Sequence, residues 1–323
     1  MARINNLTNF LTDVATAIKT KKGDSTPIPA SDFDIEIENL PSGGGDENAI
    51  IDMSKINSGK KLTDTITKIP SITFSTSSDF SNINSFFSGC TNLTSINVTF
   101  GDNIQQASGL FTNCLELTTI TGTLNTSNVI GFNNMFSYCK NLTTIPNINT
   151  GKGEQFNSMF EHCEKITTIP NIDTSKGKNL SYMFSNCYEL TTMPSLDTSS
   201  ATTMNNMFTG CSKLTTIPSL DTSSATNTSN MFLNCNELTT IPTLDLGKVV
   251  TGTNMRSMFS GCRSLNTTSL DNILQSCTTA TSYTGTKTLN HLGLKSNYYP
   301  ASKIQSLPHY QDFIDAGWTI GYN

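Results

Sequence analysis

The stretch MFSNCYELTTMPSLDTSS, Met183 to Ser200, returns one period later as MFTGCSKLTTIPSLDTSS, Met207 to Ser224. Nine cysteines mark the same period: Cys90, Cys114, Cys139, Cys163, Cys187, Cys211, Cys235, Cys262 and Cys277, in steps of 24, 25, 24, 24, 24, 24, 27 and 15 residues. A fixed repeat of roughly 20–30 residues signals a solenoid, because a unit that small cannot bury its own apolar face and must stack on its neighbours.

The register follows from Cys139. Phe136, Leu142, Ile145 and Ile148 recur as Phe160, Ile166, Ile169 and Ile172, then as Phe184, Leu190, Met193 and Leu196. Slots that stay apolar while their neighbours vary point inward. Asn206-Met207-Phe208 reads as a short helical turn that stops at the residue before the cysteine. That residue is Gly89, Asn113, Asn186, Gly210, Asn234 or Gly261, types that tolerate a left-handed backbone. Thr215-Thr216-Ile217 is β-branched and reads as a short strand. Pro218 after it lacks an amide and closes the strand. Asp221-Thr222-Ser223 reads as a turn back to the next unit.

Equivalent cysteines on neighbouring units, about 4.8 Å apart, would point the same way. A disulfide wants Cβ atoms about 3.5–4.5 Å apart and convergent. The cysteines are therefore expected to be unbridged, buried and packed as small core residues. A metal or redox array is disfavoured, since no CxxC pair or second ligand recurs.

The chain has 323 residues, a net charge of −5 and only 14% charged side chains. An acidic balance argues against nucleic acid, whose phosphates ask for a basic patch. No apolar run reaches the roughly 18 residues of a membrane span, so no membrane insertion is expected. The opening MARINNLTNFLTDVATAIKTKKGD has no continuous apolar core of a signal peptide, which leads to an expectation of synthesis in a bacterial cytoplasm.

MFxxCxxLTTIPxLDTS resembles the bacterial leucine-rich repeats of the BspA type over residues 86–270. LNHLGLKSNYYPASKIQSLPHYQDFIDAGWTIGY resembles the segment that closes such arrays. The resemblance implies an α/β repeat fold: a leucine-rich-repeat solenoid of short parallel strands and short helical turns, used for adhesion or recognition. Two departures stand out: Asn97 replaces the proline in the first unit, and LGKVVTGTNM lengthens the last step. NNLTNFLTDVATAIKTKKGDSTPIPASDFDIEIENL is similar to a segment that opens many tail and baseplate-associated proteins of phages of Gram-positive bacteria.

Leu7, Phe10, Leu11, Val14 and Ile18 form one helical stripe, and Phe33 and Ile37 lie on one face of a shorter second helix. Two helices make too little core to stand alone. Residues 1–42 are thus expected to be a small helical attachment or oligomerisation module whose stripe residues form the assembly interface. A glycine-rich linker at 43–46, an N-terminal cap at 47–85, repeats at 86–270 and a helical C-terminal cap at 271–323 complete the order. Packing of the two helices on the solenoid itself is the alternative.

No catalytic pattern appears. His162, His291 and His309 match no metal-binding spacing, and no P-loop, dinucleotide fingerprint or nucleophile elbow is present. Asp173, Asp197, Asp221 and Asp245 share one slot. Asx turns explain them, and a Ca²⁺ shared between units is the alternative, weakened because Asn149 interrupts the row. Successive strand residues face opposite ways, so each threonine pair is expected to offer one outward side chain per unit, too few for an ice-binding array.

The expectation is a non-enzymatic protein without a cofactor: a receptor-binding, tail-fibre or baseplate-tip protein of a phage or tail-like particle. It would meet other tail proteins through the N-terminal module and a bacterial surface glycan or protein through the array. A homo-oligomer follows by analogy with tail fibres, as a trimer. A cell-surface adhesin and a structural spacer of the same particle are the alternatives. Candidate binding residues are Asn147, Asn171, Ser195, Ser219 and Thr243 beside the strands and Tyr298, Tyr299 and Trp318 in the cap.

Overall fold

The computed structural model describes the backbone of residues 68–73 and the whole of residues 81–321. Leu7, Phe10, Leu11, Val14, Ile18, Phe33 and Ile37, with the expected N-terminal module and linker, lie outside the described residues.

The described chain winds as a parallel solenoid. Bridges link Asn82 to Gln106, Gly131, Gln155, Asn179, Thr203 and Asn227 in turn, all parallel and one repeat apart. A spine of phenylalanines runs through the coils. Phe87, Phe111, Phe136, Phe160, Phe184, Phe208, Phe232 and Phe259 stack face to face, with centroids 5.3–5.7 Å apart and planes within 9° of parallel. A shorter stack of Phe132 on Phe156 runs beside it, 5.6 Å between centroids. Leu142, Ile166, Leu190, Leu214 and Leu238 are fully buried, so each coil adds the same apolar parts to one core.

All nine cysteines are free and buried, as their spacing implied. Their thiols also hold the coils together. Cys114, Cys139, Cys163, Cys187, Cys211, Cys235 and Cys262 each donate to the phenylalanine carbonyl of the preceding coil, at 3.1–3.2 Å. Burial pushes the thiols of Cys211 and Cys262 up to about 12. It also raises those of Cys139, Cys163, Cys187, Cys235 and Cys277 well above the ordinary range. For Cys114 the neighbouring Cys90 thiol comes first and burial second.

The regular elements are fewer than the repeat pattern suggested. A parallel three-stranded sheet holds β1 (Lys68–Thr73), β2 (Ser95–Thr99) and β3 (Thr119–Thr121), with Ile69 opposite Ile96 and Ile96 opposite Ile120. In later coils the Thr-Thr-Ile segment forms no strand, and the pair Thr216–Thr240 is a lone bridge. Proline explains where the sheet ends. The slot seven residues past the cysteine is Asn97 in β2 and Thr121 in β3, then Pro146, Pro170, Pro194, Pro218 and Pro242; at the outer edge of the sheet β1 carries Pro70 beside Ile69, and the β1–β2 register shifts there, between Ile69 and Ile72. Each of the later prolines removes the amide that would extend the pairing, which leaves isolated bonds such as Thr239 N to Thr215 O at 2.9 Å.

The expected helical turn at Asn-Met-Phe is likewise absent. Asn134, Asn206 and Asn230, five residues before their cysteines, have φ of 57°, 58° and 55°. Ser85, Gly109, Ser158, Tyr182 and Ser257 do the same in the other coils. The residue just before the cysteine is left-handed too, even where it is Tyr138 or His162. Two left-handed residues per coil stop a helix and turn alternate amides outward. Phe132, Asn134, Phe136 and Tyr138 donate to Gln155, Asn157, Met159 and Glu161 of the next coil, while Met135, Ser137 and Cys139 close three-residue turns.

The far end is closed by helices. The lengthened step holds a 3-10 turn, Gly252–Asn254, and α1 (Thr267–Thr279) follows, capped by the Asn266 side chain on the Ser269 amide at 2.8 Å. This helix satisfies the last coil: Ser269 Oγ accepts from Ile241 N, Ser276 Oγ from Leu244 N and Thr279 Oγ1 from Leu246 N. Two short helices, α2 (Ala301–Gln305) and α3 (Tyr310–Asp315), pack beyond it, and His309 at the start of α3 pairs with Asp271 of α1 at 2.7 Å. Among the described residues no helix is long and apolar enough to cross a membrane.

Candidate functional site

Asn147, Asn171, Ser195, Ser219 and Thr243 are all exposed and occupy one column, eight residues past successive cysteines. The next residue turns inward, as Ile172, Leu196, Leu220 and Leu244. Two further on, Asn149, Asp173, Asp197, Asp221 and Asp245 are exposed again. The two columns form one face, with no lysine or arginine from the threonine pair to the aspartate in any of these five coils.

Each acid of that face is occupied by its own turn. Asp173, Asp197, Asp221 and Asp245 accept the amide two residues on, at 3.0, 3.1, 2.9 and 2.8 Å. Asn149 does the same for Gly151 at 3.0 Å. The Ser175 and Ser223 side chains, then their amides, hold the carboxyls of Asp173 and Asp221 below the usual range. Among the described residues no group of three His, Cys, Asp or Glu side chains could hold a metal ion.

The threonine that follows Asp173, Asp197 and Asp221 has a role that escaped the sequence; Asp245 is followed by Leu246. Thr174, Thr198 and Thr222 are buried and donate to the Asp197, Asp221 and Asp245 carbonyls at 2.6, 2.8 and 2.7 Å. The signal was present in the Asp-Thr pair repeated at 173–174, 197–198 and 221–222, where a turn alone would also accept serine.

Both members of the pairs Thr143–Thr144, Thr167–Thr168 and Thr191–Thr192 are exposed, contrary to the single outward threonine expected of a strand. Without strand geometry the two-residue alternation does not apply. The first hydroxyl of a pair reaches back to the preceding coil, as Thr191 Oγ1 does to Thr167 O at 3.3 Å and Thr239 Oγ1 to Thr215 O at 2.9 Å.

The cap candidates separate. Tyr298 is 37% exposed, whereas Tyr299 and Trp318 are 2% and 1% exposed and unavailable to a partner. Tyr299 is a structural pin: its hydroxyl donates to Cys262 O at 2.9 Å and accepts from Leu265 N at 3.0 Å. Trp318 stacks on Tyr283, 5.5 Å between centroids, and fills the cap core beside Phe313. The histidines are structural as well. His162 stacks on Tyr138 at 4.3 Å, His291 Nε2 lies 2.8 Å from Gly252 O, and His309 joins α3 to α1.

No curated protein matches the chain. Two solved leucine-rich repeat proteins resemble it. The one from Eubacterium ventriosum is 16% identical, covering 55% of this chain and 78% of its own, with a TM-score of 0.25. The one from Bacteroides ovatus is 18% identical, covering 62% and 68%, with a TM-score of 0.22. At those scores the coil geometry rests on this chain's own stacks and bridges. A family model, Mycoplasma protein of unknown function DUF285, matches residues 75–193 and 154–273, the region that carries the repeat. That match spans more than half of the chain, and the protein belongs to the DUF285 family.

Proposed function

We propose that the chain is a non-enzymatic recognition rod, an adhesin-type repeat protein that presents one polar face of its solenoid to a bacterial surface glycan or protein. The observation that carries it is the column Asn147, Asn171, Ser195, Ser219, Thr243: exposed, variable in side chain, and mounted on coils whose buried slots hardly vary. Amide and hydroxyl groups on a rigid frame suit hydrogen bonding to hydroxyl-rich partners, because little side-chain entropy is lost on binding. The likeness to leucine-rich repeat proteins fits such a role.

A second reading is favoured by the opening segment, similar to those of phage tail and baseplate-associated proteins: the same rod would sit at the tip of a tail-like particle, tethered by residues 1–42. The two readings share the recognition face and differ in what carries it.

The test is attachment of the fluorescently labelled chain to a panel of bacteria. Asn171→Lys, Ser195→Lys and Ser219→Lys together should abolish attachment and leave the melting temperature unchanged. Attachment equal to the parent's would remove the face from consideration. Deleting residues 1–42 should cost particle incorporation on the tail reading and leave attachment intact on both.

A further inference from the structure

The last coil and the described part of the cap, Arg256 to Gly321, together hold five lysines and arginines against three aspartates, in a chain whose net charge is −5. One of those aspartates, Asp271, is taken by His309 at 2.7 Å. Arg263, Lys295 and Lys303 make no ion pair with any described residue.

Two of these cations sit on a built platform. The Arg263 guanidinium lies over the Tyr298 ring, 5.5 Å from its centroid, and the Lys303 ammonium over the Tyr299 ring at 5.7 Å. The two rings meet edge to face at 6.4 Å. Lys295 belongs to the same turn, its carbonyl accepting the Tyr298 and Tyr299 amides at 3.1 and 3.0 Å. The Tyr299 hydroxyl bridges Cys262 O and Leu265 N, so the backbone on either side of Arg263 is pinned to the turn that carries Tyr298. Arg263 and Lys303 are thus partly immobilised on aromatic faces before any partner arrives.

We infer that Arg263, Lys295, Tyr298 and Lys303 form an anion-binding patch for a phosphodiester-bearing surface polymer. An arginine fork can take paired oxygens of one phosphate, and the Lys303 and Lys295 ammonium groups add point charges for others. The exposed Tyr298 ring offers an apolar face to the carbon backbone between them. The aspartate column of the array is a poorer docking edge for such a polymer, since a row of exposed carboxylates repels phosphates. The inference rests on the recognition reading above and names a partner class for it, at a different place on the rod.

The test is biolayer interferometry of the full chain against poly(glycerol phosphate), with dextran as a neutral polymer and an oligodeoxythymidylate of matched phosphate number. Poly(glycerol phosphate) should bind, lose affinity as salt rises, and exceed both other polymers. Arg263→Ala with Lys303→Ala should weaken binding about tenfold or more. Lys295→Glu, at an exposed turn position, should act in the same direction without any question of folding. Lys213→Ala, whose ammonium serves Glu189 on the array, should bind like the parent. Unchanged binding by the patch variants, equal binding to the oligonucleotide, or no binding by the parent overturns the inference. If the polymer fails but the column variants still abolish attachment to cells, the inference falls and the recognition reading stands. If the parent attaches to no cells, the recognition reading itself falls.

Discussion

Cys163 Sγ donates to the carbonyl oxygen of Phe136 across 3.2 Å, from one coil to the one before it. The same carbonyl accepts the Cys139 amide at 3.0 Å, closing a turn within its own coil. One oxygen thus ties a turn to its neighbour, and the cysteine is the smallest residue that both fills the slot and donates.

Replacing it separates the two roles. Cys163→Ala removes the donor and leaves a small void in a fully buried column, and should cost about 1–2 kcal/mol. Cys163→Ser keeps a donor but buries a more polar atom, and should cost less than the alanine if the hydroxyl reaches Phe136. Urea unfolding measures both, and an alanine variant as stable as the parent would make the thiol bond irrelevant.

Gly210 has φ of 75°, and a Cβ there would collide with the Asn186 side-chain oxygen of the preceding coil. Gly261 meets Asn234 in the same way. Gly210→Ala should therefore lose about 1–2 kcal/mol, from the left-handed backbone and from the clash. Asn186→Ser shortens the offending side chain. In the double variant it should restore part of that loss, and a cycle showing strict additivity would argue against contact between the two positions.

The period, the inward slots and the unbridged thiols were legible because they depend only on which residues recur. Phe136, Leu142 and Cys139 could be assigned to the core from repetition alone. Local conformation was less legible, because the partners that fix it lie a whole coil away. Asn206 looks like an ordinary helical residue until its amide is seen donating to Ser229 of the next coil. Asparagine, serine or glycine recurs five residues before most of the cysteines, and Tyr182 breaks that signal. The proline effect was legible in kind but not in extent: Pro146 was expected to close a strand, and with it the strand fails to form. At the candidate face, exposure of Asn147 and Ser195 followed from their variation beside the constant apolar slots of Ile148 and Leu196. Tyr299 and Trp318 could not be placed in the same way. Aromatic residues in a cap serve core and surface alike, and only the contacts of Tyr299 with Cys262 and of Trp318 with Tyr283 decide the matter.

Ser276 Oγ accepts the Leu244 amide at 2.8 Å and donates to Asn272 O at 2.6 Å, fully enclosed between α1 and the last coil. Ser276→Ala orphans a buried amide. The expected loss is about 1–3 kcal/mol, concentrated at the C-terminal end of the array. Hydrogen exchange should show faster exchange at Leu244 and nearby amides than in the coils around Cys139, since a solenoid can open locally. Uniform acceleration along the array would contradict a local closing role for this helix.

The raised thiols set the response to alkali. Cys139, Cys163, Cys187, Cys211, Cys235, Cys262 and Cys277 have burial as the first cause of their shift, with Cys114 raised chiefly by Cys90. In the unfolded chain a thiol ionises near pH 8.5. Below that value both states keep the proton and stability does not depend on it. Above it the unfolded chain releases protons that the folded chain retains, so stability falls as pH rises, until the folded thiols titrate at about 12 or beyond. Each such thiol removes about 1.4 kcal/mol per pH unit across that window. The melting temperature should be level from pH 6 to about 8 and drop steeply by about pH 10. A Cys163→Ala, Cys187→Ala double variant should fall less steeply than the parent, whatever its starting stability. A melting temperature that stays level through this range would mean that the thiols are not held protonated by the fold.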